Sequence, residues 1–198
     1  MRLFENVLAT LTPLRRPQRK FLCHLMRLLL MLPGHVTFRN LSRYSPYHER
    51  TFARHFATAI DFVALNKAAI LRVVPPDHEQ ALVLDASFVP KSGKHPYGLA
   101  HFWNGTHGRT ETGQELSALG WLDVTDTCAY VLSVEQTPPT GPAADQETTR
   151  IDSYLDHVTR VVQQHALYPL RYVVTDGYYS KQKFLEGVRA LELHQIGT

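Results

Sequence analysis

Asp85 and Asp176 each close a short apolar run: Ala-Leu-Val-Leu at 81–84 precedes the first and Tyr-Val-Val-Thr at 172–175 the second. Such runs read as buried strands, and a carboxylate at a strand end sits where α/β folds place ligands. Two such carboxylates can share a divalent cation, and an all-oxygen donor set selects hard Mg²⁺ or Mn²⁺. The chemistry that fits is displacement at phosphorus. Lys91, Lys94 and His95 follow Asp85 within ten residues, and Lys181 and Lys183 follow Asp176. All are candidate contacts to phosphates, although exposed basic turns account for them equally well. Asp176-Gly177 is also a good turn dipeptide in its own right.

Other chemistries find no pattern. The eleven histidines show no His-Glu-x-x-His spacing, no Gly-x-Ser-x-Gly elbow occurs, and the loop after Asp85 is not a P-loop. Cys23 and Cys128 stand far apart, which excludes a disulfide framework and points to a reducing compartment, the cytoplasm. The apolar run at 21–32 carries His24 and Arg27 and falls short of the about 20 residues that span a bilayer. No membrane partner is expected.

The elements that position the two acids are legible in periodicity. Leu22, Leu25, Leu28, Leu29 and Leu32 mark one face of a helix that Pro33-Gly34 ends. Ser45-Pro46 reads as an N-cap with proline at the first helical position. In the helix it opens, Phe52, Phe56, Ile60 and Val63 form an apolar stripe opposite Tyr47, Arg50 and Arg54. Arg50 and Arg54 are candidate DNA contacts of a helix-turn-helix. Pro75-Pro76-Asp77 breaks the helical region and divides a domain over 1–76 from one over 77–198. Beyond it, strands are expected at 82–87, 99–103, 114–122 and 129–134. A helix follows over 149–165, then a strand at 171–175, a helix over 181–191 and a strand at 192–196.

The formal net charge of +3 hides an asymmetry. Residues 1–80 carry 12 Lys and Arg against 5 Asp and Glu, a balance of +7; residues 81–198 carry 9 against 13, a balance of −4. A basic front and a carboxylate-bearing rear suit a polyanion-binding region ahead of a metal site.

Together these features resemble the insertion-sequence DDE transposases, enzymes with a ribonuclease-H-like catalytic domain. The resemblance rests on Leu84-Asp85-Ala86-Ser87-Phe88-Val89 with Lys91-Ser92-Gly93-Lys94, on Val174-Thr175-Asp176-Gly177-Tyr178-Tyr179-Ser180, and on Arg39–Ser45 with Thr51-Phe52. It implies an α/β, ribonuclease-H-like mixed sheet with flanking helices, preceded by a small all-α DNA-binding domain. It further implies Asp85 and Asp176 as two catalytic, metal-holding acids, Mg²⁺ or Mn²⁺ as cofactor, and transposon-end and target DNA as partners of a homodimer at the nucleoid.

The family's third acid is a glutamate on a helix after the last strand. Glu186 and Glu192 are the acids that follow Asp176, and neither matches that position. The resemblance therefore implies a C-terminally incomplete catalytic domain, the front portion of a longer transposase. Two alternatives stay open: a non-catalytic DNA-binding remnant, and a ribonuclease-H-like nuclease without transposition.

Overall fold

The structure, a computed structural model, describes residues 2–11, 14–93, 97–139, 148–167 and 170–197. It comprises two compact units, Met1–Val73 and Val74–Thr198. Among the described residues, no helix is long and apolar enough to cross a membrane.

The first unit is all-helical: α1 (Arg2–Thr10), α2 (Arg16–Met31), α3 (Phe38–Arg43), α4 (Glu49–Phe56) and α5 (Phe62–Ile70). Helix α2 is apolar on two sides and organises two clusters. Leu22 packs with Val7, Leu8, Leu14 and Leu65, while Phe21, Leu25 and Leu28 pack with Leu41 and Phe52. Leu29, expected on the buried face, is 37% exposed, because the second cluster turns α2 about the Phe21–Leu25–Leu28 line. Pro33-Gly34 follows the helix end as expected.

Helix α4 starts later than its Ser-Pro signal implies. Its N-cap is His48, whose Nδ1 accepts from the Arg50 N–H at 3.2 Å. Ser45 Oγ instead accepts from the Tyr47 N–H at 3.0 Å and meets His24 Nε2 at 2.8 Å. Tyr47 is half-buried, its ring against Phe21 and Phe52, so it lies off the face expected to meet DNA. Phe56 packs on Phe38 and stays 53% exposed.

The second unit is a six-stranded mixed sheet with two helices: β1 (Gln80–Pro90), β2 (Ala100–Asn104), β3 (Arg109–Asp123), β4 (Cys128–Gln136), α6 (Arg150–His165), β5 (Tyr172–Thr175), α7 (Gln182–Ala190) and β6 (His194–Gly197). Strand β1 is central, antiparallel to β3 and parallel to β5, which is parallel to β6. Strands β2 and β4 pair antiparallel with successive stretches of the far side of β3. An antiparallel meander whose first strand is central, followed by helix, strand, helix and strand, is the ribonuclease-H-like arrangement that the sequence implied.

Each parallel crossover is right-handed by preference, so α6 and α7 pack on one face as the chain steps from β1 to β5 to β6. That face is buried: Leu82, Leu84, Leu119, Trp121, Tyr154, Val158, Val173, Phe184 and Val188 are all at most 1% exposed. Gly187 lets α7 approach α6, since a Cβ there would collide with the Leu155 side chain. Several buried polar groups on this face are paired. Ser117 Oγ and Ser133 Oγ lie 2.9 Å from the two ring nitrogens of His157, and the Tyr154 hydroxyl donates to Glu115 at 2.5 Å.

Candidate metal and nucleic-acid site

Asp85 sits mid-way along β1 rather than at its end, as the sequence suggested. The reason is β3: it pairs with β1 through to Pro90, whereas β5 accompanies β1 only over Leu82–Val83. Asp85 therefore stands where the β5 side of β1 opens.

The register brings the two acids together. Val83 pairs with Val174, so two residues further along both chains Asp85 is level with Asp176. Side chains alternate along a strand, and laterally paired residues share a face. Val83, Asp85 and Val174 thus share the face opposite α6 and α7, on strands spaced about 4.8 Å apart. Asp176 follows Thr175, the last residue of β5, and its backbone is still extended. Both aspartates are exposed. The Asp85 side chain has no hydrogen-bond or ion-pair partner among the described residues.

Asp176 performs the turn role that its Asp-Gly sequence allowed. Its Oδ1 accepts from the Tyr178 N–H at 3.0 Å and caps a 3-10 turn over Gly177–Tyr179. Its other oxygen has no hydrogen-bond partner among the described residues.

The turn returns the chain to the core at Tyr179. The ring is 1% exposed, with its centroid 5.1 Å from that of Tyr154 and 5.5 Å from that of Phe184. Its hydroxyl is buried and has no hydrogen-bond partner among the described residues. Burial first, then the negative charges of Asp85, Asp176 and Glu115, hold this phenol well above the ordinary tyrosine range. In sequence, Tyr179 carries no functional signature beyond its place in the 174–180 motif. The available signal was its position three residues after an Asp-Gly turn, on the side of the strand end that folds back into the core.

The donor set suits a hard divalent cation: two carboxylates with a free oxygen each, side by side and open to solvent. The unpartnered Tyr179 hydroxyl is a buried donor on which the charges of both carboxylates act. The candidate third acids stand elsewhere. Glu186 is on α7, where its Oε1 accepts from Gln182, and Glu192 lies in the turn before β6, level with the start of β5.

A different trio offers ligand atoms within 4.8 Å of one another: His78, Asp123 and Asp126. Asp123 pairs with Gln80, five residues before Asp85, so this trio lies about 17 Å along the strand from the candidate site. Asp123 accepts from His78 Nδ1 at 2.9 Å and from the Asp126 N–H at 3.1 Å. These bonds clamp the β3–β4 turn to the segment entering β1, and they raise the His78 pKa.

The basic candidates separate. Lys91 is exposed, six residues beyond Asp85 and so about 20 Å along an extended strand. Lys94 lies outside the described residues. Lys181 is exposed at the start of α7, five residues after Asp176. Lys183 is engaged: its Nζ lies 2.5 Å from Asp152 Oδ1 on α6, and this contact, with the Thr149 cap, holds the Asp152 carboxyl down to about 2. In the helical unit, Arg50 and Arg54 are exposed on α4.

The sequence matches the DDE superfamily endonucleases over residues 6–198. The chain belongs to that family. No curated protein matches it. Among solved structures it is similar to a chain of the simian T-cell lymphotropic virus intasome in complex with PP2A regulatory subunit B56 gamma. There the identity is 13% and the TM-score 0.28, over 86% of this chain and 51% of that one. This chain thus spans about half the length of the chain it matches.

Proposed function

We propose that this chain is a transposase of the DDE class, in which Asp85 and Asp176 hold Mg²⁺ or Mn²⁺ and the helical unit binds transposon-end DNA. The observation that carries this reading is the Val83–Val174 pair of β1 and β5, beyond which Asp85 and Asp176 each follow by two residues.

When bound, the cation supplies Lewis acidity for attack at phosphorus by water or a 3′-hydroxyl. The chain's own contribution is placement. Asp85 is fixed by the β1–β3 ladder, and Asp176 by its cap on the 3-10 turn. Lys181 contacts a phosphate beside the site, and Lys91 one several nucleotides away. Lys183, committed to Asp152, braces α7 against α6. Arg50 and Arg54 meet the phosphates of the transposon end. The assembly acts as a homodimer in the cytoplasm, at the nucleoid.

The test is strand cleavage and strand transfer on transposon-end DNA with Mg²⁺ or Mn²⁺. Cleavage by the unmutated chain, lost in Asp85→Asn and in Asp176→Asn, is expected. Cleavage that survives both substitutions removes the site assignment. DNA binding without any cleavage favours the non-catalytic reading, and nicking without strand transfer favours a nuclease.

A further inference from the structure

We propose that the Tyr179 hydroxyl is a positioning group for the metal-holding carboxylates, donating to Asp85 or Asp176 when they take a divalent cation. This inference rests on the reading of those two aspartates as metal ligands.

A buried hydroxyl without a partner loses its hydrogen bonds to water and gains nothing in return. The ring packing does not require it, because the contacts to Tyr154 and Phe184 are made by the ring and phenylalanine would keep them. Two neighbouring buried groups of this layer are satisfied, His157 by two serines and Tyr154 by Glu115. The Tyr179 hydroxyl, like Thr137 Oγ1 and Gln195 Oε1, is not.

Its surroundings narrow the acceptor. The charges that bear on the phenol are those of Asp85, Asp176 and Glu115, in that order. Glu115 already accepts from the Tyr154 hydroxyl at 2.5 Å and has Arg150 Nη1 at 3.7 Å. Asp85 and Asp176, each with a free oxygen, are the acceptors we assign. The backbone fixes the relation to Asp176: the Tyr179 N–H donates to the Asp176 carbonyl at 3.3 Å, within the same 3-10 turn that Asp176 caps.

Carboxylates that ligate metals are themselves held by hydrogen bonds, and losing such a support costs about 10–100-fold in affinity or activity. Two carboxylates drawn to one site also repel, so a donor to one of them favours the arrangement that a cation needs. Tyr179 is anchored in the core and stays put while the exposed carboxylates adjust.

The experiment is Mn²⁺ binding to the full chain, read by water-proton relaxation, with thermal melting of the metal-free protein in parallel. Tyr179→Phe is expected to weaken Mn²⁺ about tenfold. Its metal-free melting temperature is expected to hold or rise, because an unsatisfied buried group has been removed. Tyr178→Phe, a neighbouring hydroxyl that is exposed, is expected to bind as the unmutated chain does. Unchanged Mn²⁺ affinity in Tyr179→Phe overturns the inference. So does a weakening accompanied by a lower melting temperature, which would mark the hydroxyl as structural. If the unmutated chain binds no Mn²⁺, or if binding survives Asp85→Asn and Asp176→Asn, the metal reading itself fails; that result is distinct from a failure of Tyr179 alone.

Discussion

The two faces of one sheet are built by different rules. On the face under α6 and α7, apolar side chains are closed off and several buried polar groups have their partners. On the opposite face stand Val131 at 60% exposure, Val134 at 50%, Tyr172 at 45% and Ile196 at 46%, together with the Asp85 carboxylate. The first face supplies stability, and the second spends little on it and keeps its chemistry open. Tyr179 links them: its ring lies in the covered layer, and its hydroxyl feels the charges of the two acids.

The largest effect that tests this contrast comes from volume. Trp121 is fully buried on the covered face, and its indole N–H donates to Gln80 Oε1 at 2.9 Å. Trp121→Ala is expected to lower stability by about 3–5 kcal/mol in urea unfolding. Val134→Ala on the open face is expected to change it by less than about 0.5 kcal/mol. Equal losses at the two sites would erase the distinction between the faces. Next in size, Glu115→Leu leaves the buried Tyr154 hydroxyl without its acceptor and is expected to cost about 1–3 kcal/mol.

Protonation gives a smaller and signed test. Burial lowers the His157 pKa, with Arg160 acting in the same direction and Glu135 and Asp156 opposing. The folded chain thus keeps this ring neutral at pH values where the unfolded chain takes up a proton. Its contribution is fully present above the ordinary histidine pKa of about 6.5 and is lost as pH falls below it. His78 has the opposite sign: the Asp123 hydrogen bond raises its pKa, so its contribution is full below about 6.5 and fades as pH rises through the folded value. Denaturant unfolding between pH 5 and 8 is expected to show an acid-side loss that His157→Gln flattens and an alkaline-side loss that His78→Gln flattens. An unchanged acid-side slope in His157→Gln would remove the buried-histidine account. His55 shares the lowered direction in the helical unit, so each variant is compared with the unmutated chain rather than with a flat baseline.

How much of this was legible in sequence depends on range. The strands and helices of the second unit fall close to their expected places, because alternation and 3.6-residue periodicity are local signals. The start of α4 was misplaced because Ser45-Pro46 is a good local cap, whereas the packing of Tyr47 on Phe21 and Phe52 delays the helix to Glu49. The two acids stood out in sequence by the apolar runs before them. Their placement level with each other was not legible, because it depends on a β1–β5 register that neither segment encodes alone. Lys183 shows the same limit. Its spacing after Asp176 suggested DNA, and the fold gives it Asp152, a partner 31 positions away in sequence. Tyr179 was hidden by its type, since an aromatic after a turn reads as core, and only its orphaned hydroxyl marks it as more.

The smallest expected stability change carries the most information about the open face. The Asp85 side chain has no partner among the described residues, so Asp85→Asn removes a charge without breaking a bond. The change also relieves repulsion from Asp176 on the neighbouring strand. Melting of the metal-free protein is expected to stay level or to rise by a few degrees, as about 1 kcal/mol would produce in a domain of this size. Adding Mn²⁺ is expected to raise the melting temperature of the unmutated chain by mass action and to leave Asp85→Asn unmoved. A clear destabilisation of the metal-free variant would mean that Asp85 holds the sheet together, and the division of labour between the two faces would fail at its most exposed residue.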